Sequence, residues 1–484
     1  MFPLVDPVSP VNPVILSGKA GRKTPGKRRL NGLLAALCLF LLWTGCGEAP
    51  TGESPQTGAL TFADHIAPII YENCTPCHRP GSAGPFSLLS YADVAKRKKM
   101  IREVTRSRYM PPWPADPAYR HFLGERVLSQ EEIDLIGAWV AQDAPQGDSS
   151  CIPPPPVFPT GSQLGTPDLV LTMEEAFAIR GDNRDRFLFG KIPYEIDRDT
   201  FIRAIEFVPG NQQMVHHMNG HLISYEFEKK ASVFEGERML DRETVPTDVA
   251  WPRLGLLNDD GSYPALTPLV CSYLPGISPA VYPEGIGGYT MKRKGAFLFS
   301  DLHYGPSAKD TFDQSRFNIF FSDTPPRRPT REIQMGTLGI SDIVPPLLIP
   351  PDTVMTFRTR AVIQNHISLL TLNPHMHLLG KTFLAYAVPP QGDTIPLIRI
   401  PEWDFRWQYN YTFPRLLHLP KGSLVEVVAT FDNTRDNPFN PFDPPQTVTG
   451  RNASMKTTDE MLQFIFTYLP YEPGDEAVSL AGEL

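Results

Sequence analysis

Two textures of apolar and polar positions divide this chain. Between residues 59 and 147 apolar residues recur at helical spacing. In LSQEEIDLIGAWV, residues 128–140, Ile133, Ile136, Trp139 and Val140 fall on one helical face. Ser129 is placed to cap that helix, with Glu132 three residues later completing a capping box. From residue 166 onward the pattern becomes short β-like runs, among them DLVLTM, HLISYEF, GAFLFSDLHY, RFNIFFS, SLLTLNPHMHL and LVEVVATF. Each is bounded by Pro, Gly, Asn or Asp, and no long amphipathic helix is evident, which predicts sandwich or barrel architecture. About 300 residues of such texture exceed what one sandwich usually needs. SDTPPRRPTRE, residues 322–332, reads as the joint between two of them.

Composition adds to this picture at three places. The 52 prolines, 36 glycines and 28 phenylalanines suit turns and short strands. CIPPPPVFPTG, residues 151–161, is a stiff linker between the two textures, and GEAPTGESPQTG, residues 47–58, is a flexible tether. A net charge of −8, with no polybasic stripe beyond the N-terminus, sets nucleic-acid partners aside.

The N-terminus reads as a targeting signal: basic GKAGRKTPGKRR, residues 18–29, then apolar LLAALCLFLLW, residues 33–43. WTGC follows, placing Cys46 where a bacterial lipoprotein is cleaved and lipidated; an uncleaved anchor is the alternative. Either places the rest of the chain outside the cytoplasm, in the bacterial cell envelope and facing the periplasm. Trp43 departs from the Leu usual three residues before that Cys. Of the other cysteines, Cys38 lies in the signal, Cys74 and Cys77 belong together, and Cys151 with Cys271 is left as a permitted disulfide.

CTPCH, residues 74–78, fits covalent haem attachment: Cys74 and Cys77 join the haem, and His78 supplies the proximal ligand. A redox pair or a zinc half-site is the alternative, but neither requires the His, and no second CxxC exists for zinc. Met110, in YMPPWP, is the expected sixth ligand, held by Pro111 and Pro112. Met100 reads as surface or packing, and His121 as the weaker competitor. The segment resembles class I cytochrome c over residues 59–147.

Six of the 11 histidines fall in MVHHMNGH, DLHYG and PHMH. His375 and His377, two apart, share one face of a strand, and are either half of a metal site or polar residues on a solvated edge. His216 and His217 point to opposite faces unless a bulge or strand end intervenes, while His217 and His221 share a face. His303 alone reads more readily as a satisfied core or edge residue than as a ligand.

Taken in order, these segments resemble the copper type II, ascorbate-dependent monooxygenases, which include peptidylglycine α-hydroxylating and dopamine β-monooxygenase. VHHM matches the paired-His motif and LFSDLHYG the third-His motif. PHMHLLGK matches the His-x-His motif, and TTDEMLQFIFTYLP the segment with a Met ligand. The resemblance spans roughly residues 166–480. It implies an electron-storing copper on His216, His217 and His303 and an oxygen-activating copper on His375, His377 and Met461. Zinc competes for a three-His set, but the thioether suits Cu(I). The implied centres face each other across an open cleft and hydroxylate a C–H bond with O₂. Asn373 stands where amidating relatives carry a carboxylate-gripping Arg, and Gln463 and Ile465 replace their Asn and Tyr. Peptide amidation is therefore not expected.

The expected layout is a signal over 1–46, a tether over 47–58, an all-α cytochrome c domain over 59–147 and a Pro-rich linker over 148–165. Two all-β, jelly-roll-like copper domains follow over 166–325 and 326–484. The expected activity is a copper-dependent monooxygenase acting on a small organic substrate with O₂. Two copper ions and one covalent haem c are its cofactors. The haem relays electrons from a reductant or from a periplasmic or membrane donor. A non-catalytic haem/copper electron-transfer or copper-binding lipoprotein is the alternative.

Overall fold

Helix is concentrated before residue 142 and strand after residue 168 in the computed structural model, which describes residues 60–242, 244–450 and 456–481. The signal with Cys38 and Cys46, and the tether over 47–58, lie outside the described residues. No described helix is long and apolar enough to cross a membrane.

Three helices form the first part: α1 (Ala67–Asn73), α2 (Tyr91–Arg106) and α3 (Gln130–Ala141). α3 starts at Ser129, whose Oγ accepts from Glu132 N while Glu132 Oε2 accepts from Ser129 N at 2.7 Å. Such a cap contributes about 1 kcal/mol. The apolar faces close over Phe62, Ile70, Val94, Ile133 and Trp139.

Two β-sandwiches follow, built from antiparallel pairs. In the first, the sheet ordered Leu169–Thr172, Arg316–Ser322, Thr200–Val208, Tyr289–Met291 faces one centred on Lys294–Tyr304. That central strand lies between Arg186–Glu195 and Val215–Tyr225. Phe297 and Phe299 turn inward and stack on Phe317 at ring separations of 4.7 and 5.2 Å. Ala296 and Leu298 turn outward, yet Leu240, Leu254 and Leu256 cover them. Burial of both faces explains why this strand reads as continuously apolar.

In the second sandwich, the sheet ordered Arg331–Gly336, Leu462–Pro470, Ile367–Met376, Tyr411–Leu419 packs on a sheet containing Val354–Val362, Leu424–Asp432, Gly380–Val388 and Ile395–Ile400. Val354–Val362 alternates exposed and inward residues, the pattern of a strand with one wet face. Phe357, Phe383, Phe431 and Phe464 fill the space between the sheets.

The helical part does not hang on its linker. Ala115 and Phe122 belong to the core of the second sandwich. Phe122 packs on Tyr411 at 5.0 Å and on Phe413 at 5.5 Å. Asp116 N donates to Arg399 O, and Leu123 N to Thr412 O, each at 2.8 Å. The Pro-rich linker is also pinned: Gly161 O accepts from Asn318 Nδ2 at 2.9 Å, and the Arg79 guanidinium lies 3.9 Å over Phe158. The described residues pack as one compact unit.

The permitted disulfide is not formed. Cys74, Cys77, Cys151 and Cys271 are free; Cys151 lies on an exposed turn, while Cys271 is buried in a strand of the first sandwich.

Candidate metal centres

The adjacent histidines meet because the strand bulges. Strand Val215–Tyr225 pairs His217 with His303 but Val215 with Tyr304, leaving His216 as the extra residue. A bulge turns its side chain towards the face of its neighbour. Ligand atoms of His216, His217 and His303 then lie within 4.8 Å of one another. His216 Nδ1 and His217 Nδ1 are 3.4 Å apart. Two nitrogens each about 2.0–2.1 Å from one ion at a tetrahedral angle would stand about 3.4 Å apart.

Outer partners fix which ring atoms are free. His217 Nε2–H donates to Asp301 Oδ2 at 3.0 Å, and His303 Nε2–H donates to Asp185 Oδ1 at 2.7 Å. His303 Nδ1 is buried with no hydrogen-bond partner. A ligand imidazole commonly donates its other N–H to a carboxylate in this way. Burial, then His303, His217 and Arg406, hold the His216 pKa down at about 2, so that ring is neutral and fit to bind metal. Burial pushes the Asp301 carboxyl up, but His217 and Arg242 outweigh it and hold it below the usual carboxylate range. His221 stays apart, its Nδ1–H donating to Thr267 O.

The second set lies on the other sandwich. Rings of His375 and His377 are 5.0 Å apart and nearly perpendicular. Ladder pairing runs from His375 opposite Gln463 to Met376 opposite Leu462, so one further step sets His377 opposite Met461. Glu460 holds that arrangement: its carboxyl accepts from His377 N at 3.0 Å, Leu379 N at 2.7 Å and Met461 N at 3.2 Å. Burial pushes this carboxyl up to about 8, opposed by those three N–H groups. His377 Nδ1–H donates to Asp459 O at 2.9 Å. His375 Nδ1–H donates to Gln408 Oε1, leaving a buried Nε2 without a partner. Burial, then His377, lowers the His375 pKa to about 3. Met461 is fully buried, so its sulfur is shielded from water. Two neutral imidazoles with a thioether would make a soft set that suits Cu(I).

Aromatic rings link the two sets. Phe405 packs 5.7 Å from His377 and 6.2 Å from Phe187, and Phe187 stacks on His303 at 4.3 Å. Loop 403–409 carries this aromatic contact between the sandwiches.

CTPCH sits at the end of α1. His78 N donates to Cys74 O at 2.9 Å, and the His78 Nδ1–H donates to Phe86 O at 3.2 Å, leaving Nε2 for a ligand. Burial, then the neighbouring Cys77, pushes the Cys74 thiol up to about 12. Met110 follows α2, its N–H donating to Val104 O, and it lines a cavity of about 990 Å³ with Trp113, Leu128, Ile133 and Trp407. Met100 is exposed, and His121 is an exposed ring beside Glu125.

Sequence reasoning missed loop 403–409, WDFRWQY. It touches both histidine sets and the Met110 cavity: Phe405 on His377, Trp407 on His216, Gln408 on His375 and Arg406 Nη1 on Tyr109 Oη. Four aromatic residues in seven, outside any strand, were the available signal.

No family model matches the chain, and no curated protein matches it either. Among solved structures it is similar, at 7% identity over 64% of this chain and 74% of the other, to the “Structure of infectious bursal disease virus Gx strain”. The TM-score is 0.14, too low for that likeness to bear on fold or function.

Proposed function

We propose that this chain is a copper-dependent monooxygenase, similar to the type II ascorbate-dependent enzymes, fused to a class I cytochrome c domain. In this reading residues 59–147 carry haem c on Cys74 and Cys77, with His78 and Met110 as axial ligands. Two jelly-roll-like copper domains follow. His216, His217 and His303 hold one copper, and His375, His377 and Met461 hold the other. The copper on His375, His377 and Met461 would supply activation of O₂ and one electron, and the copper on His216, His217 and His303 would supply the second electron needed to hydroxylate a C–H bond.

One observation carries the reading. In each set one histidine pairs its outer nitrogen with an acceptor and keeps a buried inner nitrogen without a partner: His303 Nδ1 in the first and His375 Nε2 in the second. The chain's own work is then to fix tautomers, through Asp301, Asp185, Gln408 and the Asp459 carbonyl, and to keep water from Met461. Raised cysteine pKa values support haem attachment over a redox pair, whose reactive thiol has a lowered one. Asn373 donates to Tyr409 O and offers no cation for a substrate carboxylate, which supports a small organic substrate over a peptide terminus. The lipid anchor at Cys46 and the periplasm-facing location belong to the same proposal.

A second reading draws on Phe405. Its ring fills the way between the sets, as suits a haem/copper electron-transfer protein without turnover. Purified holoprotein given an artificial reductant, O₂ and candidate substrates separates the two by mass spectrometry. A product heavier by one oxygen, labelled from ¹⁸O₂, is expected of the enzyme. Oxygen uptake without any such product supports the second reading, and fewer than two coppers per haem removes both.

A further inference from the structure

The helical part, both histidine sets and loop 403–409 form one packed neighbourhood, and the loop holds a row of aromatic rings inside it. Trp407 lines the cavity that contains Met110. Its ring also lies 5.5 Å from the ring of His216. On its other side Trp407 stacks on Tyr409 at 6.4 Å. Tyr409 is buried, packs on Trp113 at 5.1 Å and donates its hydroxyl to Pro112 O at 2.5 Å. Pro112 lies two residues past Met110 and lines the same cavity. The row therefore runs from the cavity beside Met110, the axial ligand of the proposed haem, to a histidine of the first sandwich.

We propose that Trp407, with Tyr409 behind it, is the conduit by which an electron passes from a haem held at Cys74 and Cys77 to a copper held at His216, His217 and His303. This rests on the function proposed above. The step moves one electron and no atom: ferrous haem becomes ferric as cupric ion becomes cuprous. A one-electron donor of the cell envelope, such as a small soluble cytochrome, re-reduces the haem. Indole and phenol rings are the most easily oxidised side chains after thiols, so they carry an electron better than aliphatic packing of the same length.

Other rows lead elsewhere. Trp113, Tyr411 and Phe122 run into the core of the second sandwich, away from both histidine sets. Phe405 reaches His377 but lines no part of the Met110 cavity. The loop is held without help from the Trp407 side chain. Asp404 accepts from Arg406 N at 3.0 Å and pairs with the Arg406 guanidinium, and Trp407 N donates to Asp404 O.

The test uses full-length, haem- and copper-loaded protein, fully oxidised and anaerobic. A sub-stoichiometric pulse of a reduced viologen fills the haem, and its reoxidation is followed in the haem absorption band. Loss of the Cu(II) electron-paramagnetic signal is followed in parallel. In the native protein the two traces coincide. Trp407→Leu is expected to slow both by about tenfold or more, a barrier change of about 1.4 kcal/mol. Trp407→Phe should fall between, and Tyr409→Leu should also slow both. Copper content, and direct reduction of copper by ascorbate, stay unchanged. Native rates in Trp407→Leu and Tyr409→Leu overturn the conduit. Should Trp407→Leu lose copper, Trp407→Phe and Tyr409→Phe decide, and native rates in both overturn it. Absence of haem or copper from the native protein, read before any variant, removes the proposed function itself.

Discussion

Asp301→Asn is the substitution with the most to reveal. Asp301 Oδ2 accepts from His217 Nε2, and Oδ1 lies 3.3 Å from Arg242 Nη1, with the Asp301 side chain only 18% exposed. Its charge also reaches His375 and His377 on the other sandwich. Removing it loosens the His217 tautomer and leaves Arg242, 12% exposed, facing two cation sites. Losing such an outer partner costs about 10–100-fold in metal affinity, or about 1.4–2.7 kcal/mol. Stability without metal should fall by about 1–3 kcal/mol, short of a fully buried pair because both groups keep some water. Asp185 makes the matching bond to His303 but is 49% exposed, so water replaces much of it and Asp185→Asn should cost only about a few-fold. Chelator competition for Cu(II), with urea unfolding of the apo-protein, measures both. Equal losses in the two variants, or native affinity in Asp301→Asn, would show that burial does not set the strength of these bonds.

Two further outcomes test the fold. Phe122→Ala removes a ring from the core of the second sandwich and should cost about 3–5 kcal/mol in urea unfolding; a loss below about 1 kcal/mol would mean the helical part merely rests there. Asp475 accepts from Arg328 at 2.7 and 2.8 Å and from Ser368 Oγ. Burial raises its carboxyl, but these partners win and hold it at about 2. The folded pKa thus lies below the unfolded value, so about 2–3 kcal/mol is present above pH 4 and lost as pH falls through 2. Asp475→Asn should flatten that acid limb in unfolding followed from pH 7 down to 2, and an unchanged limb would refute the assignment.

What the chain's letters disclose depends on how local each cause is. The Ser129–Glu132 cap is legible because both partners lie within one turn. The β texture is legible because alternation and turn residues are local too. His375 and His377 share a face by the period of a strand, but their nearness to Met461 depends on a ladder partner far along the chain. The bulge at His216 has no sequence mark; only pairing with Lys294–Tyr304 reveals it. Loop 403–409 was illegible as a site because each of its roles is a contact with another part of the chain. The Pro-rich stretch at 151–161 marks the change of texture, but the packing of Phe122 on Tyr411 and Phe413 joins residues far apart along the chain and carries no local signal.

That insertion bears on how such a protein can be inherited. Residues 109–123 furnish side chains and backbone hydrogen bonds to the second sandwich, with Ala115 and Phe122 inside its core. A gene trimmed to its β-coding half would encode a sandwich with a hole where Phe122 belongs. A helical module borrowed from elsewhere would bring no plug to fill it. Exchange of either half at the linker would therefore have to restore that packing, and substitutions on one side of the seam bear on the other.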